Sequence, residues 1–118
     1  MTIKTFIAGE DLTDKIGYAV IASATNKQVL LADDANDVCL GILTNDGISG
    51  EAVGVALTGE VCKAKLGGAV EHGQALYADD GGALLASDET GDDNIIAIAL
   101  EDGASGDKIY VEVVKYIK

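Results

Sequence analysis

His72, Cys39 and Cys62 are the side chains of this 118-residue chain best suited to nucleophilic or acid–base chemistry. His72 sits in "AVEHGQ", a turn before an apolar run. A catalytic triad needs a Ser or Cys held against a base that a carboxylate orients. No G-x-S-x-G elbow accompanies the histidine, so it reads as an exposed turn residue. Cys39 ("DVCLGIL") and Cys62 ("TGEVCKA") lie far apart in strand-like runs and read as small buried thiols. Their spacing leaves open whether they meet in space.

Metal and phosphate chemistry fare no better. One His and two separated Cys give no zinc spacing. The acidic pairs Asp33-Asp34, Asp79-Asp80 and Asp92-Asp93 offer oxygen ligands, but "DDANDVCLG" and "DDGGALLAS" lack the spaced ladder of a calcium loop. They read as solvated turns, and no metal or cofactor is expected. "GISG", "GASG" and "LGG" do not build a nucleotide-binding G-x-G-x-x-G or a P-loop. "GEVCKAKLGGAVEHGQ" has the outline of a biotinyl or lipoyl carrier hairpin, yet Lys63 and Lys65 fall within an expected strand rather than at an exposed turn.

The composition narrows the partners. The formal net charge is −12, and the eight basic residues are all lysine. Nucleic acid and anionic membrane are disfavoured, because both reward clustered cations. No apolar run is long enough for a membrane-spanning helix. The opening "MTIKTFIAGEDL" has no apolar core or cleavage site, so no signal peptide is expected.

What the chain has in quantity is strand grammar. Short apolar runs are divided by Gly, Asp and Asn turns, with fifteen Gly and no Pro. "YAVIA", "QVLLA", "VCLGILT" and "AVGVALTGEV" are answered by "QALYA", "ALLA", "NIIAIAL" and "KIYVEVVKYI". Inward alternation is clearest at Val53, Val55, Leu57 and at Ile109, Val111, Val113. Asp79-Asp80-Gly81-Gly82 is a hairpin signal. "GEDLTDKIG" holds one helical turn at most.

These runs are written twice. A shift of 56 positions brings Gly17 onto Gly73, and Asp46, Gly47, Ser49, Gly50 and Val55 onto Asp102, Gly103, Ser105, Gly106 and Val111. The expected fold is all-β: one small sandwich or barrel-like domain over 1–118, built from two similar units at 9–64 and 65–118. Residues 1–8 precede the first unit and find no counterpart at this shift.

The ordered phrases "GVALTGEVCKAKLGGAVEHGQALYADDGGALLA" and "NIIAIALEDGASGDKIYVEVV" resemble the small phage capsid cement, or head decoration, proteins. The elements that carry the likeness are Gly54 to Gly59, Gly73 to Asp79 and Ala97 to Val113. The resemblance implies a non-enzymatic virion protein, made in the bacterial host cytoplasm and added to the outer capsid surface. It implies the major capsid protein as partner and a homotrimer on the lattice. A tail or fibre module of a phage shares the same β grammar. A small-molecule-binding β-barrel is the other alternative, though one Phe and four Tyr are thin lining for a cavity.

With a capsid as partner, "TIKTFIA" becomes the candidate contact. Thr2, Ile3, Lys4, Thr5 and Phe6 are expected either to pair with a free strand edge of the capsid protein or to form an edge strand of the domain's own sheet.

Overall fold

The computed structural model describes residues 3–33, 38–79, 81–87 and 93–117. Thr2 and the acidic residues Asp34, Asp80 and Asp92 lie outside them. The chain is all-β, with no helix among the described residues. Strands β1 (Ile3–Ala8), β2 (Ala19–Ala22), β3 (Gln28–Leu31), β4 (Gly41–Leu43) and β5 (Ala52–Ala56) close a barrel in the order β1-β3-β2-β4-β5. Strands β6 (Val61–Lys65), β7 (Ala75–Ala78), β8 (Leu84–Ala86), β9 (Asn94–Ala99) and β10 (Lys108–Ile117) form a second five-stranded sheet, ordered β6-β10-β9-β7-β8.

Alternation explains the inward faces. In β5, Val53 and Val55 are buried. In β10, Ile109, Val111 and Val113 are buried while Lys108, Tyr110 and Glu112 face out. Asp79 and Gly82 close the β7–β8 hairpin as expected, with Gly82 N donating to Asp79 O at 2.9 Å. The run "AVGVALTGEV" is broken into β5 and β6 by a turn at Gly59, whose φ is 95°. "GEDLTDKIG" forms turns only: Lys15 N donates to Leu12 O, and Thr13 N to the Asp11 carboxylate.

The two sheets are the same motif. The second follows the first strand for strand, and its outermost strands touch through a parallel bridge, Leu66↔Leu84. The loop hydrogen bonds repeat as well. Ala8 N donates to Glu51 O and Gly50 N to Ala8 O; Leu66 N donates to Asp107 O and Gly106 N to Leu66 O. Asp14 N donates to the Asp46 carboxylate, as His72 N does to Asp102.

This pattern extends to the amino terminus. β1 is a strand of the first unit's own sheet. It pairs antiparallel with β5 from Ile3↔Ala56 to Ile7↔Ala52, and parallel with β3 at Ile7↔Gln28 and Ala8↔Val29. Its counterpart is β6. The 56-residue shift misses this because Ala8 matches Leu66, a shift of 58. The difference is absorbed where Lys15 and Ile16 lengthen the first unit's loop before Gly17.

The units differ at one seam. The first barrel closes by direct β1–β3 pairing, whereas β6 and β8 share one bridge. The first unit fills part of that gap. Lys65 N donates to Gly17 O at 2.8 Å, Ala19 N to Gly82 O at 2.8 Å, and Gly81 N to Ala32 O at 2.9 Å. Two apolar clusters result. One lies in the first barrel around Leu12, Val20, Val29, Leu43, Val53 and Val55. The other joins the second unit's Leu66, Leu76, Leu84, Ile96 and Val111 to Ala19, Ala32, Ile42 and Ala56 of the first.

Candidate interaction surface

The carboxylates of the loops serve backbone. Glu51 accepts from Ile48 N and Asp107 from Ala104 N, at equivalent turns of the two units. Glu10 accepts from Leu31 N, and Glu101 from Tyr110 N. Hydrogen bonds from the Thr13 hydroxyl and backbone N–H hold the Asp11 carboxyl below its ordinary pKa. Among the described residues no three His, Cys, Asp or Glu side chains group to hold a metal.

His72 is exposed, and its backbone N–H is engaged by Asp102. Cys39 is buried and Cys62 half-buried, and no disulfide joins them. Burial, aided by the Glu60 charge, pushes the Cys62 thiol up to about 11. It therefore stays protonated near neutral pH, where a nucleophile needs the thiolate.

Of the residues expected to touch a capsid, Thr2 lies outside the described residues. Ile3 and Lys4 pair with Ala56 and Val55. Thr5 is exposed opposite Gly54, and half-buried Phe6 packs on the first barrel's core. At Ile7 and Ala8 the strand is bonded on both edges, which leaves no free edge there for a partner strand.

A different group of side chains gathers on the second unit. Outward positions of β6 and β10 face each other as Glu112↔Val61, Tyr110↔Lys63 and Lys108↔Lys65. Leu100, just past β9, donates its N–H to Tyr110 O, and half-buried Ile98 lies opposite Glu112. Val61 is 55 % exposed, Tyr110 51 % and Leu100 39 %. The Lys63 ammonium lies 5.0 Å from the Tyr110 ring centroid. Three cations, Lys63, Lys65 and Lys108, and two carboxylates, Glu112 and Glu101, thus surround an exposed apolar spot on a chain of net charge −12. Among the described residues, the other large exposed apolar side chains, Ile16, Val38 and Ile48, lie in loops.

The first unit shows what the scaffold itself requires at these positions. Its equivalent pairs are Ile3↔Ala56, Thr5↔Gly54 and Ile7↔Ala52. Thr44, whose N–H donates to Gly54 O, stands where Leu100 stands. Small, neutral side chains therefore suffice to build the strands at Thr5, Gly54 and Ala52. Sequence reading placed Lys63 and Lys65 in a strand but could not join them to Lys108 and Tyr110, because only the β6–β10 register does so.

The phage cement protein family model matches residues 13–115. No curated protein sequence matches the chain. Among solved structures, the chain is similar to the N base of the head fibre protein gp8.5 of bacteriophage phi29. The TM-score is 0.72 at 13 % identity, covering 96 % of this chain and 93 % of that one. That likeness is one of fold. The family match spans both units, from the first unit's Thr13 to β10, and on it the chain belongs to the phage cement protein family.

Proposed function

We propose that this protein is a non-enzymatic cement protein that binds the outer surface of a phage capsid and stabilises its lattice. The observation that carries this is the family match over 13–115. The net charge of −12 supports an outer position, since an acidic chain is repelled by a packaged genome. Many identical weak contacts on a closed shell give avidity without a deep pocket. In this reading the chain is made in the bacterial cytoplasm, takes the major capsid protein as its partner and sits as a homotrimer on the lattice. Closed symmetry covers exposed apolar strand positions without open-ended growth.

The fold shared with a head fibre base favours a second reading, in which the chain seats a fibre on the head. Mass spectrometry of purified virions separates the two. A cement protein is expected at a copy number comparable with the major capsid protein. A few copies per virion would contradict cement and favour a fibre or tail component.

A further inference from the structure

We propose that the outward face of β6, β10 and the end of β9 is the docking surface, and that it seats on a carboxylate-bearing, apolar-centred patch of the capsid exterior. The inference rests on the cement reading above and names the side chains that would carry it.

The duplication supplies an internal control. Two units of one topology carry β1–β5 in one and β6–β10 in the other, in matching register, with Thr5 and Ala52 exposed and Gly54 half-buried in the first. At Thr5, Gly54 and Ala52 the first unit uses small neutral residues. The second places Lys63, Tyr110 and Lys108 there. Fold maintenance does not explain the larger residues, since the first barrel stands without them. Exposed aromatic and aliphatic side chains cost solubility and persist where something covers them. Tyr is a favoured anchor in interface centres, and the Lys63 ammonium over its ring holds it in an outward pose.

The charges select the partner. Among the described residues, Lys63, Lys65 and Lys108 enter no ion pair. Glu112 is the carboxylate on the face, and Glu101 at its border is held by Tyr110 N. Three unpaired cations on the rim of an apolar spot fit a surface that offers carboxylates around an apolar centre. The joint between the units points the same way. Ile42 is fully buried against the second unit, while its counterpart Ile98 is half-buried on the open face.

The test is co-sedimentation of the full chain with expanded shells purified without this protein. Light scattering of the free chain at the same concentrations accompanies it. The variant Lys63→Thr/Lys108→Ala/Tyr110→Ala installs first-unit or similarly small side chains. It is expected to keep its melting temperature within a few degrees and to bind about tenfold more weakly or less. Wild-type binding should weaken as salt rises, and Lys63→Glu/Lys65→Glu should abolish it. The control pair Thr5→Glu/Ala52→Glu, on the matching first-unit face, should bind as wild type.

Full binding by the second-unit variants would overturn the surface assignment and leave the cement reading intact. A wild-type chain that stays in the supernatant would overturn both. If the variants instead dissociate an oligomer of the free chain while retaining shell binding, the face belongs to a second copy and the proposal fails.

Discussion

The first barrel hides what the second displays. Ile42 and Ile98 stand at equivalent places on β4 and β9, yet one is sealed in the core that joins the units and the other looks outward. The first barrel closes on itself through β1 and β3, whereas the second borrows Gly17 and Ala19 of its neighbour at the seam. A duplicated fold has thus been divided: one copy completes the other's wall, and the completed copy keeps a free face. Two identical units would bury matching surfaces, and the mismatch is what leaves Tyr110 and its lysines available.

The harshest way to break this comparison is to remove β1. Deleting residues 1–6 takes away most of the strand that pairs with β5 and all of Phe6. Loss of the cooperative melting transition by circular dichroism is expected. An unchanged melting curve would favour the arm reading. Ile42→Ala comes next, with an expected loss of about 2–5 kcal/mol because it opens a cavity in a packed core. Ile98→Ala should cost much less, about 1 kcal/mol, since water already reaches that side chain. Chemical denaturation of both variants measures the gap, and equal losses would deny that only one face is covered.

Glycines sharpen it further. Gly17 and Gly73 occupy matching turns at φ 95° and 90°. Alanine at either should cost about 1 kcal/mol or somewhat more for the left-handed backbone alone. At Gly17 a Cβ would also lie 3.1 Å from Lys65 N, whereas nothing lies within 4 Å at Gly73. Gly17→Ala is therefore expected to be the more destabilising, in a thermal melt of the two variants side by side.

Much of this was legible in the sequence, and the losses have definite causes. The all-β class, the β7–β8 hairpin and the inward alternation of Val53, Val55, Ile109, Val111 and Val113 follow from turn chemistry and period two. The duplication showed at Gly17/Gly73 and Gly50/Gly106, whose positive φ tolerates little else. β1 escaped because two extra residues, Lys15 and Ile16, move its match from a shift of 56 to one of 58, and "TIKTFIA" shares no identity with its counterpart "EVCKAKL". The docking face escaped because Lys63 and Tyr110 are 47 positions apart and meet only through antiparallel register.

Cys62 gives a smaller contrast, since its counterpart in β1 is Lys4. Its folded pKa of about 11 exceeds the ordinary thiol value of 9.0. The unfolded chain ionises first as pH rises, so this residue's contribution to stability is full below about 9 and lost between about 9 and 11. Cys62→Ser should flatten that part of the stability profile, read by denaturant midpoints across the range. The smallest effect is chelation. EDTA is expected to leave the melting temperature unchanged, and a fall reversed by calcium would show an ion held by the acidic turns.

The division of labour between the units is tested most directly by a reconstruction of decorated capsids at side-chain resolution. The predicted result places Tyr110, Lys63 and Lys108 of the second unit against the shell, with the β1–β5 face of the first unit turned away. Density showing Thr5, Gly54 and Ala52 at the shell and Tyr110 in solvent would contradict it.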